Sequence, residues 1–424
     1  MNYKQAIKYI HSVNWRGSKL GLSRTKELLS KMDNPDKKLR FVHIAGTNGK
    51  GSVSAMLASV LEEAGYKVGL YTSPYIVSFN ERMQINGNSI TNDELAELTT
   101  HISQFADVMS DPPTEFELIT ALAFEFFYRN SCDIVVLETG LGGLLDSTNV
   151  IETPELAVIT TIDYDHTREL GTTMPEIASA KAGIIKNNGN VLFYGDNKEA
   201  EAVIREKCNE ENATLDIPDF KELIKKEISL DRLTFDFGKH KNISIPLVGI
   251  YQFNNAALVL SAIDILNKKG RKISTRAVYD GMASVKWQGR FEVLSREPLF
   301  ISDGGHNPQG VASAIESFKV HLPGRKAIFI LGIMADKNIE VMIEPIVPFA
   351  SEFITVTPDN PRSMPANTLK EHLLKYGLSV TDCTTVEEGV ITAYNRAGKE
   401  GVVFSLGSLY LYREVLTAVK AMGG

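Results

Sequence analysis

The chain has 424 residues, 43% of them hydrophobic and 23% charged, with a formal net charge of −7. At roughly 100–200 residues per domain this length implies two or three domains with ample core, and the acidic balance argues against a surface devoted to nucleic acid or anionic membrane. Three cysteines, Cys132, Cys208 and Cys383, are odd in number and widely spaced, which argues against a disulfide framework or a CxxC metal site; with no secretory h-region and no run of about 18 apolar residues, a cytoplasmic protein is expected.

In chain order, short β-branched runs at 39–45, 67–71, 133–138, 156–161 and 191–194 predict strands, and the segments between them carry helical spacing. After Lys50, apolar residues fall at Val53, Met56, Leu57, Val60, Leu61 and Ala64, the stripe of a helix packed on one face. Such alternation predicts βαβ units and a mostly parallel sheet. The charged, alternating stretch 217–246 reads as a small antiparallel addition. A second α/β series starts near Leu299 with LFISD, KAIFILG, EFITV and VVFSL. Ser295–Pro298 reads as a connector, giving expected domains of 1–296 and 297–424. The fold class is α/β: a P-loop-type parallel-sheet domain followed by a smaller Rossmann-like α/β domain.

The most specific local pattern is FVHIAGTNGKGSVSAML, in which a strand enters a glycine-rich turn and an amphipathic helix leaves it. Gly46, Gly49 and Gly51 let the backbone bend towards an anion, and the helix start offers unpaired N–H groups and a positive dipole end. Lys50 supplies a charge for the β- and γ-phosphates and Ser52 a hydroxyl for magnesium. The pattern departs from G-x-x-x-x-G-K-[ST], which would want glycine at Ile44 and a hydroxyl at Gly51; the bland reading is an ordinary βα turn with a surface lysine. Further polar groups lie at strand ends, where open parallel sheets bind ligands. Glu138 ends DIVVLE, and Asp163, Asp165 and His166 follow LAVITT. Glu138 suits Mg²⁺ or a structural cap, and His166 a ligand or a structural role. Ser73 precedes Pro74 and alone looks like turn chemistry. Lys181, within MPEIASAKAGIIK, reads on its own as a solvated helix lysine. Asp303 and His306 follow LFIS, and Ser408 follows VVFSL, which points to a site fed by two sheet edges.

With GTNGKGS, YTSPYIVSFNERMQING, TEFE, LETGLGGLLDSTN, DHTRELG, KAGIIK, QGRFE, DGGHNP and GSLYL in this order, the chain resembles the folylpolyglutamate synthase/dihydrofolate synthase family of Mur ligases over nearly its whole length. The resemblance implies that Gly46, Thr47, Asn48, Gly49, Lys50, Gly51 and Ser52 hold ATP, with Asn255, Arg290 and Asp303. It implies Ser73, Glu138 and His166 as Mg²⁺ ligands and a carbamylated Lys181. His306 and Ser408 would lie near the incoming glutamate, with His306 a candidate base. Leu20, Gly21, Leu22, Thr114, Glu115, Phe116, Glu117, Leu145, Asp146 and Ser147 match a dihydropteroate pocket. Two positions depart from many relatives: Leu144 stands where arginine is frequent, and Gly305 where alanine is.

The implied activity is ATP-dependent addition of L-glutamate to folate through an acyl phosphate, together with conversion of dihydropteroate to dihydrofolate. Two anions must meet in the first step, at a cost of about 4 kcal/mol at 4 Å and an effective dielectric of 20; Lys50, the helix start and magnesium would offset it. The alternatives are the elongating activity only, another Mur-type amino-acid ligase, or a P-loop nucleotide switch without ligase chemistry. Small-molecule substrates, a monomer, and no nucleic-acid or membrane partner are expected.

Overall fold

The computed structural model describes residues 1–13 and 21–423. The chain forms two compact units: one comprises Met1–Leu223, Phe237–Ile243 and Asn254–Val285, the other Ile224–Asp236, Ser244–Phe253 and Lys286 onward.

The first unit is built on an eight-stranded sheet. Its strands are β1 (Phe41–Ala45), β2 (Val68–Tyr71), β3 (Met83–Ile85), β4 (Asn88–Ser89), β5 (Ile134–Glu138), β6 (Leu156–Ile159), β7 (Asn190–Phe193) and β8 (Thr214–Asp216), in the order β4-β3-β2-β5-β1-β6-β7-β8. The six strands from β2 to β8 in that order run parallel, and β3 and β4 add an antiparallel edge. Every residue of β1, β5 and β6 is buried, as a parallel sheet with both faces covered requires. The helix Lys50–Glu63 buries Val53, Met56, Leu57, Val60 and Leu61 of the predicted stripe. It lies against the helix Thr275–Ser284, where a Cβ on Gly281 would stand 2.5 Å from Val60 Cα. The Ser59 hydroxyl donates to Gly281 O at 2.7 Å, fixing the register of the pair.

The alternating stretch yields β9 (Leu223–Ile228), β10 (Leu233–Phe237) and β11 (His240–Ile245), a three-stranded sheet in the order β11-β10-β9. In the second unit β12 (Glu292–Arg296), β13 (Leu299–Ser302), β14 (Ala327–Leu331), β15 (Ala350–Thr355), β16 (Val380–Asp382) and β17 (Val402–Leu406) form a sheet ordered β12-β13-β17-β14-β15-β16. All its pairs are parallel except β12 with β13. Ser295–Pro298, read from sequence as a connector, thus ends β12 and turns into β13. Pro298 does start a strand, but the preceding one belongs to the same sheet.

Cys132, Cys208 and Cys383 are free and buried. Burial pushes the Cys132 thiol up to about 12 and that of Cys208 to about 11, which leaves both as inert packing groups. Among the described residues no helix is long and apolar enough to cross a membrane.

Candidate active site

The loop after β1 is shaped by two positions that tolerate no side chain. Gly46 has φ +148°, and a Cβ there would lie 1.8 Å from Thr160 Oγ1; Gly49 has φ +88°, and its Cβ would lie 2.8 Å from Asn255 Oδ1. The loop is pinned to the end of β6. Thr47 N–H donates to Thr161 O (2.7 Å), the Thr160 hydroxyl to Asn48 O (2.7 Å), and the Thr47 hydroxyl to Asp163 O (3.0 Å). The helix Lys50–Glu63 then begins at Gly49 with no side-chain cap, so its first turn is open to an anionic ligand.

Two ammonium groups converge on one carbonyl. Lys50 Nζ donates to Gly46 O at 3.0 Å and to Thr47 O at 3.2 Å, and Lys181 Nζ donates to the same Gly46 O at 2.9 Å. Lys181 is only 3% exposed, which corrects its reading as a solvated helix lysine. Its helix, Met174–Ala182, turns that face to the sheet rather than to water. Burial first, then the charge of Lys50, pulls the Lys181 pKa down to about 7, with Asp165 opposing.

Glu138 closes β5 at 4% exposure, and its Oε2 accepts the Ser73 N–H at 3.4 Å. Ser73 follows β2 and precedes a cis peptide to Pro74. His166 lies beyond β6 with left-handed backbone (φ +50°), an exposed side chain, and an N–H donating to Asp165 Oδ1 at 2.9 Å. Among the described residues no three His, Cys, Asp or Glu side chains form a metal cluster. A divalent ion beside Glu138 would therefore draw on a hydroxyl, an imidazole, phosphate oxygens and water. Magnesium, a hard ion that keeps several waters, fits such a sparse donor set.

The segment read as a pterin pocket is partly spoken for by structure. The Phe116 ring lies 6.2 Å from that of Tyr71, and a Cβ on Gly140 would meet Phe116 Cζ at 2.5 Å. Thr114 and Glu117 form a capping box, and buried Glu117 also receives the Arg24 guanidinium at 2.9 Å. Glu115 Oε1 pairs with His11 Nδ1 at 3.2 Å, while its buried Oε2 has no partner. Asp146 is buried; it accepts from Leu141 N (2.7 Å), Thr148 N (3.0 Å) and the Thr148 hydroxyl (2.6 Å). Burial pushes its pKa up and these bonds oppose the rise. Ser147 is buried beside it, and Leu145 is exposed with Leu144. Gly21 has φ +134° and Leu22 caps the helix Ser23–Lys31; Leu20 lies outside the described residues. Behind Asp146 stands a group that sequence reading missed: His43, buried in mid-β1, with Nε2 2.9 Å from Thr148 Oγ1. Its place inside an apolar run gives no pattern that would separate it from a core residue.

In the second unit Asp303 follows β13, buried. Its Oδ2 accepts from the Tyr251 hydroxyl and from Phe291 N, both at 2.8 Å, and its Oδ1 from Gly305 N at 2.7 Å. Burial raises its pKa against the pull of Arg290. Tyr251, on the far side of this constellation in sequence, carried no motif signal. Phe291 takes a left-handed backbone (φ +45°), rare for an aromatic residue, which aims its N–H at the carboxylate. Arg290 lines a cavity of about 280 Å³ with Trp287, Val248 and Val293. His306 Nδ1 is 2.9 Å from Gly304 O. Ser408 caps the helix Leu409–Ala421, its Oγ accepting from Tyr410 N at 3.1 Å.

Two family models match: the Mur ligase middle domain over residues 44–263 and the Mur ligase glutamate ligase domain over 289–409. The chain is 35% identical to the dihydrofolate synthase/folylpolyglutamate synthase of Bacillus subtilis, covering 99% of both chains. It is 33% identical to the folylpolyglutamate synthase of Lacticaseibacillus casei, covering 97% of each. It is also similar to the structure of E. coli FolC in complex with DHPP and ADP, with a TM-score of 0.88 and 28% identity over 100% of this chain and 99% of that one. Full-length identity of this order, joined to the glycine loop, the buried lysine and the acids at the strand ends, assigns the chain to the Mur ligase family, in its folylpolyglutamate synthase/dihydrofolate synthase group.

Proposed function

We propose that this protein joins L-glutamate to folate by γ-amide bonds, using ATP and an acyl-phosphate intermediate, and that it also converts dihydropteroate to dihydrofolate. The observation that carries this reading is the meeting of Lys50 and Lys181 at Gly46 O, on a loop where a side chain at Gly46 or Gly49 would collide with Thr160 or Asn255. A carboxylate is a poor electrophile, so the site must bring it to the γ-phosphate and screen the repulsion between the two. Gly46, Thr47, Asn48, Gly49, Gly51 and Ser52 cradle the phosphates, and Lys50 leaves its loop carbonyls to meet them. Ser73, Glu138 and His166 hold magnesium, which when bound neutralises charge on the transferring phosphoryl group. Asn255, Arg290 and Asp303 bind the nucleotide.

Lys181 acts as a carbamate: a buried amine with a pKa near 7 is substantially unprotonated at neutral pH. The neutral amine's lone pair can take up CO₂ with loss of one proton, so that relative to the ammonium form two protons leave and a cation beside Lys50 becomes an anion. On the pterin side Phe116 packs against the ring, with Leu22, Thr114, Leu145, Asp146 and Ser147 around it. His306 accepts a proton from the incoming ammonium, and Ser408, whose Oγ already accepts a backbone N–H, keeps its own proton for the glutamate carboxylate. The segment 1–296 supplies the phosphate loop and the folate site, and 297–424 contributes to the nucleotide and glutamate sites. The enzyme works as a cytoplasmic monomer.

The test is an assay with dihydropteroate, L-glutamate and MgATP, and a second with tetrahydrofolate. Phosphate release matched by glutamylated product supports the reading; ATP hydrolysis with no product from either acceptor defeats it. Glu138→Ala should lower turnover by at least ~100-fold while leaving the fold intact.

A further inference from the structure

The helix Pro308–His321 begins where the loop carrying Asp303 and His306 ends, with Asn307 as its cap. Its last turn carries a half-buried imidazole that the proposed chemistry does not use. A histidine in a last helical turn ordinarily serves the helix dipole as a cation. Here burial lowers the His321 pKa, opposed by its bond to Val248 O. Nε2 lies 2.7 Å from that carbonyl. A carbonyl only accepts, so Nε2 carries the proton of the neutral ring. The ring also stacks on Phe291, with centroids 5.4 Å apart and planes at 24°.

Both contacts lead to Asp303, whose Oδ2 accepts from the Phe291 N–H and the Tyr251 hydroxyl. Phe291 presents its N–H from a left-handed backbone (φ +45°), which an aromatic residue keeps only where its surroundings impose it. Its ring is clamped by His321 face to face and by Phe404 edge on, at 5.5 Å and 87°. Tyr251 hangs from the segment that starts at Val248. The same helix holds that segment twice. His321 grips Val248 O, and the buried Ser317 hydroxyl accepts from Ile250 N at 3.0 Å while donating to Ser313 O at 2.8 Å.

The count of bonds on Asp303 shows why its aim matters. A carboxylate offers roughly four lone-pair sites. Among the described residues Tyr251, Phe291 and Gly305 take three of them, and the one left lies on Oδ1. An anion gains nothing from facing a phosphate, so this site has to meet a donor of the nucleotide, a ribose hydroxyl or the amino group of the base. A single hydrogen bond of that kind weakens steeply with misalignment. Whatever fixes the rotation of the carboxylate therefore fixes the contact.

We propose that His321 is a positioning residue for the nucleotide site, holding Phe291 and the Val248–Tyr251 segment so that their two donors keep the Asp303 carboxylate aimed at ATP. This rests on the reading of Asp303 as a nucleotide contact. Without the imidazole face, Phe291 is free to return to an ordinary backbone region, and its N–H leaves Oδ2. Without the Nε2 donor, the chain before Tyr251 loses one of its two ties to the helix.

The experiment is calorimetric binding of ATP and of 7,8-dihydropteroate to the wild-type protein, His321→Leu, His321→Gln and His321→Phe, and to Asp303→Asn alone and combined with His321→Leu. His321→Leu removes both the flat face and the donor. It is expected to weaken ATP about 5- to 30-fold and to leave dihydropteroate within about twofold. His321→Gln keeps a donor for Val248 O and His321→Phe keeps the flat face, so each should recover part of the loss; they serve if His321→Leu fails to fold. In the Asp303→Asn background His321→Leu should cost less than about twofold in ATP affinity, because the carboxylate it serves is gone. A lower thermal midpoint with unchanged ATP affinity would overturn the proposal and leave His321 a packing group. So would full additivity with Asp303→Asn, or equal loss of both ligands. If the wild-type protein does not bind ATP, the nucleotide reading itself falls and takes this one with it.

Discussion

Lys181 and His43 are both buried bases, and the fold treats them differently. Lys181 is buried beside one carbonyl and a second lysine, and its pKa falls to about 7 although Asp165 opposes the fall. Under CO₂-depleted conditions the protonated form is a buried charge that Asp165 only partly offsets, so Lys181→Met should raise the thermal midpoint at pH 6.5 while removing ligase activity. An unchanged or lower midpoint, or an active variant, would contradict the carbamate role. In the wild type, ¹³C-bicarbonate should give a carbamate signal that grows as pH rises through about 7, because only the neutral amine captures CO₂. His43 is held near pKa 3, chiefly by desolvation. The unfolded state then binds a proton between about pH 6.5 and 3 that the folded state refuses. Stability from this group is full above pH 6.5 and falls as pH drops, by up to about 1.4 kcal/mol per pH unit. His43→Gln keeps a donor towards Thr148 and should flatten that slope; urea titrations at pH 7 and 4.5 measure it, and an unaltered slope would mean the imidazole is charged when folded. Neither property was legible in the sequence. Lys181 sits in an ordinary helical pattern, and only packing shows that its face is inward.

A strand, a turn without side chains and a helix make the phosphate loop, and this element was readable because its chemistry is local. Glycine at φ +148° and +88°, a lysine and a hydroxyl have few other reasons to occur together. The short strands β3, β4, β8 and β16 escaped notice because two or three residues are too short to establish alternation. β12 was hidden by Pro298, whose break fits a hairpin turn as well as a linker. The reason the loop's helix needs Gly281 across from it also lies outside its own sequence. A Cβ at Gly281 meets the backbone at Val60, which cannot give way as a side chain would. Gly281→Val should therefore cost about 1–3 kcal/mol and weaken ATP binding by tilting the helix Lys50–Glu63. Denaturant midpoints and nucleotide titration test the two effects; a variant as stable as the parent would show that the helices separate freely.

At the scale of the whole chain, the two units interleave along the sequence, and this sets what can fold alone. The second unit takes in Ile224–Asp236 and Ser244–Phe253 as well as the residues from Lys286 onward. Its core depends on those insertions. Val248 is buried with Phe291, Phe318 and Phe404. Its carbonyl lies 2.7 Å from His321 Nε2, and Ile250 N–H donates to Ser317 Oγ at 3.0 Å. The cut at 296/297 drawn from sequence would also remove β12, the antiparallel partner of β13. Linear reading favours contiguous domains because it sees no pairing between distant segments, whereas the core is assembled from three stretches. A fragment beginning at Leu299 should accordingly lack cooperative unfolding, bind a hydrophobic dye and show little near-ultraviolet circular dichroism. One that starts at Lys286 should improve on it by restoring Phe291 and β12, yet still leave the Val248 site open. A sharp, dye-free thermal transition in the Leu299 fragment would show that β13 to β17 and their helices suffice, and that residues 224–253 decorate this unit rather than complete it.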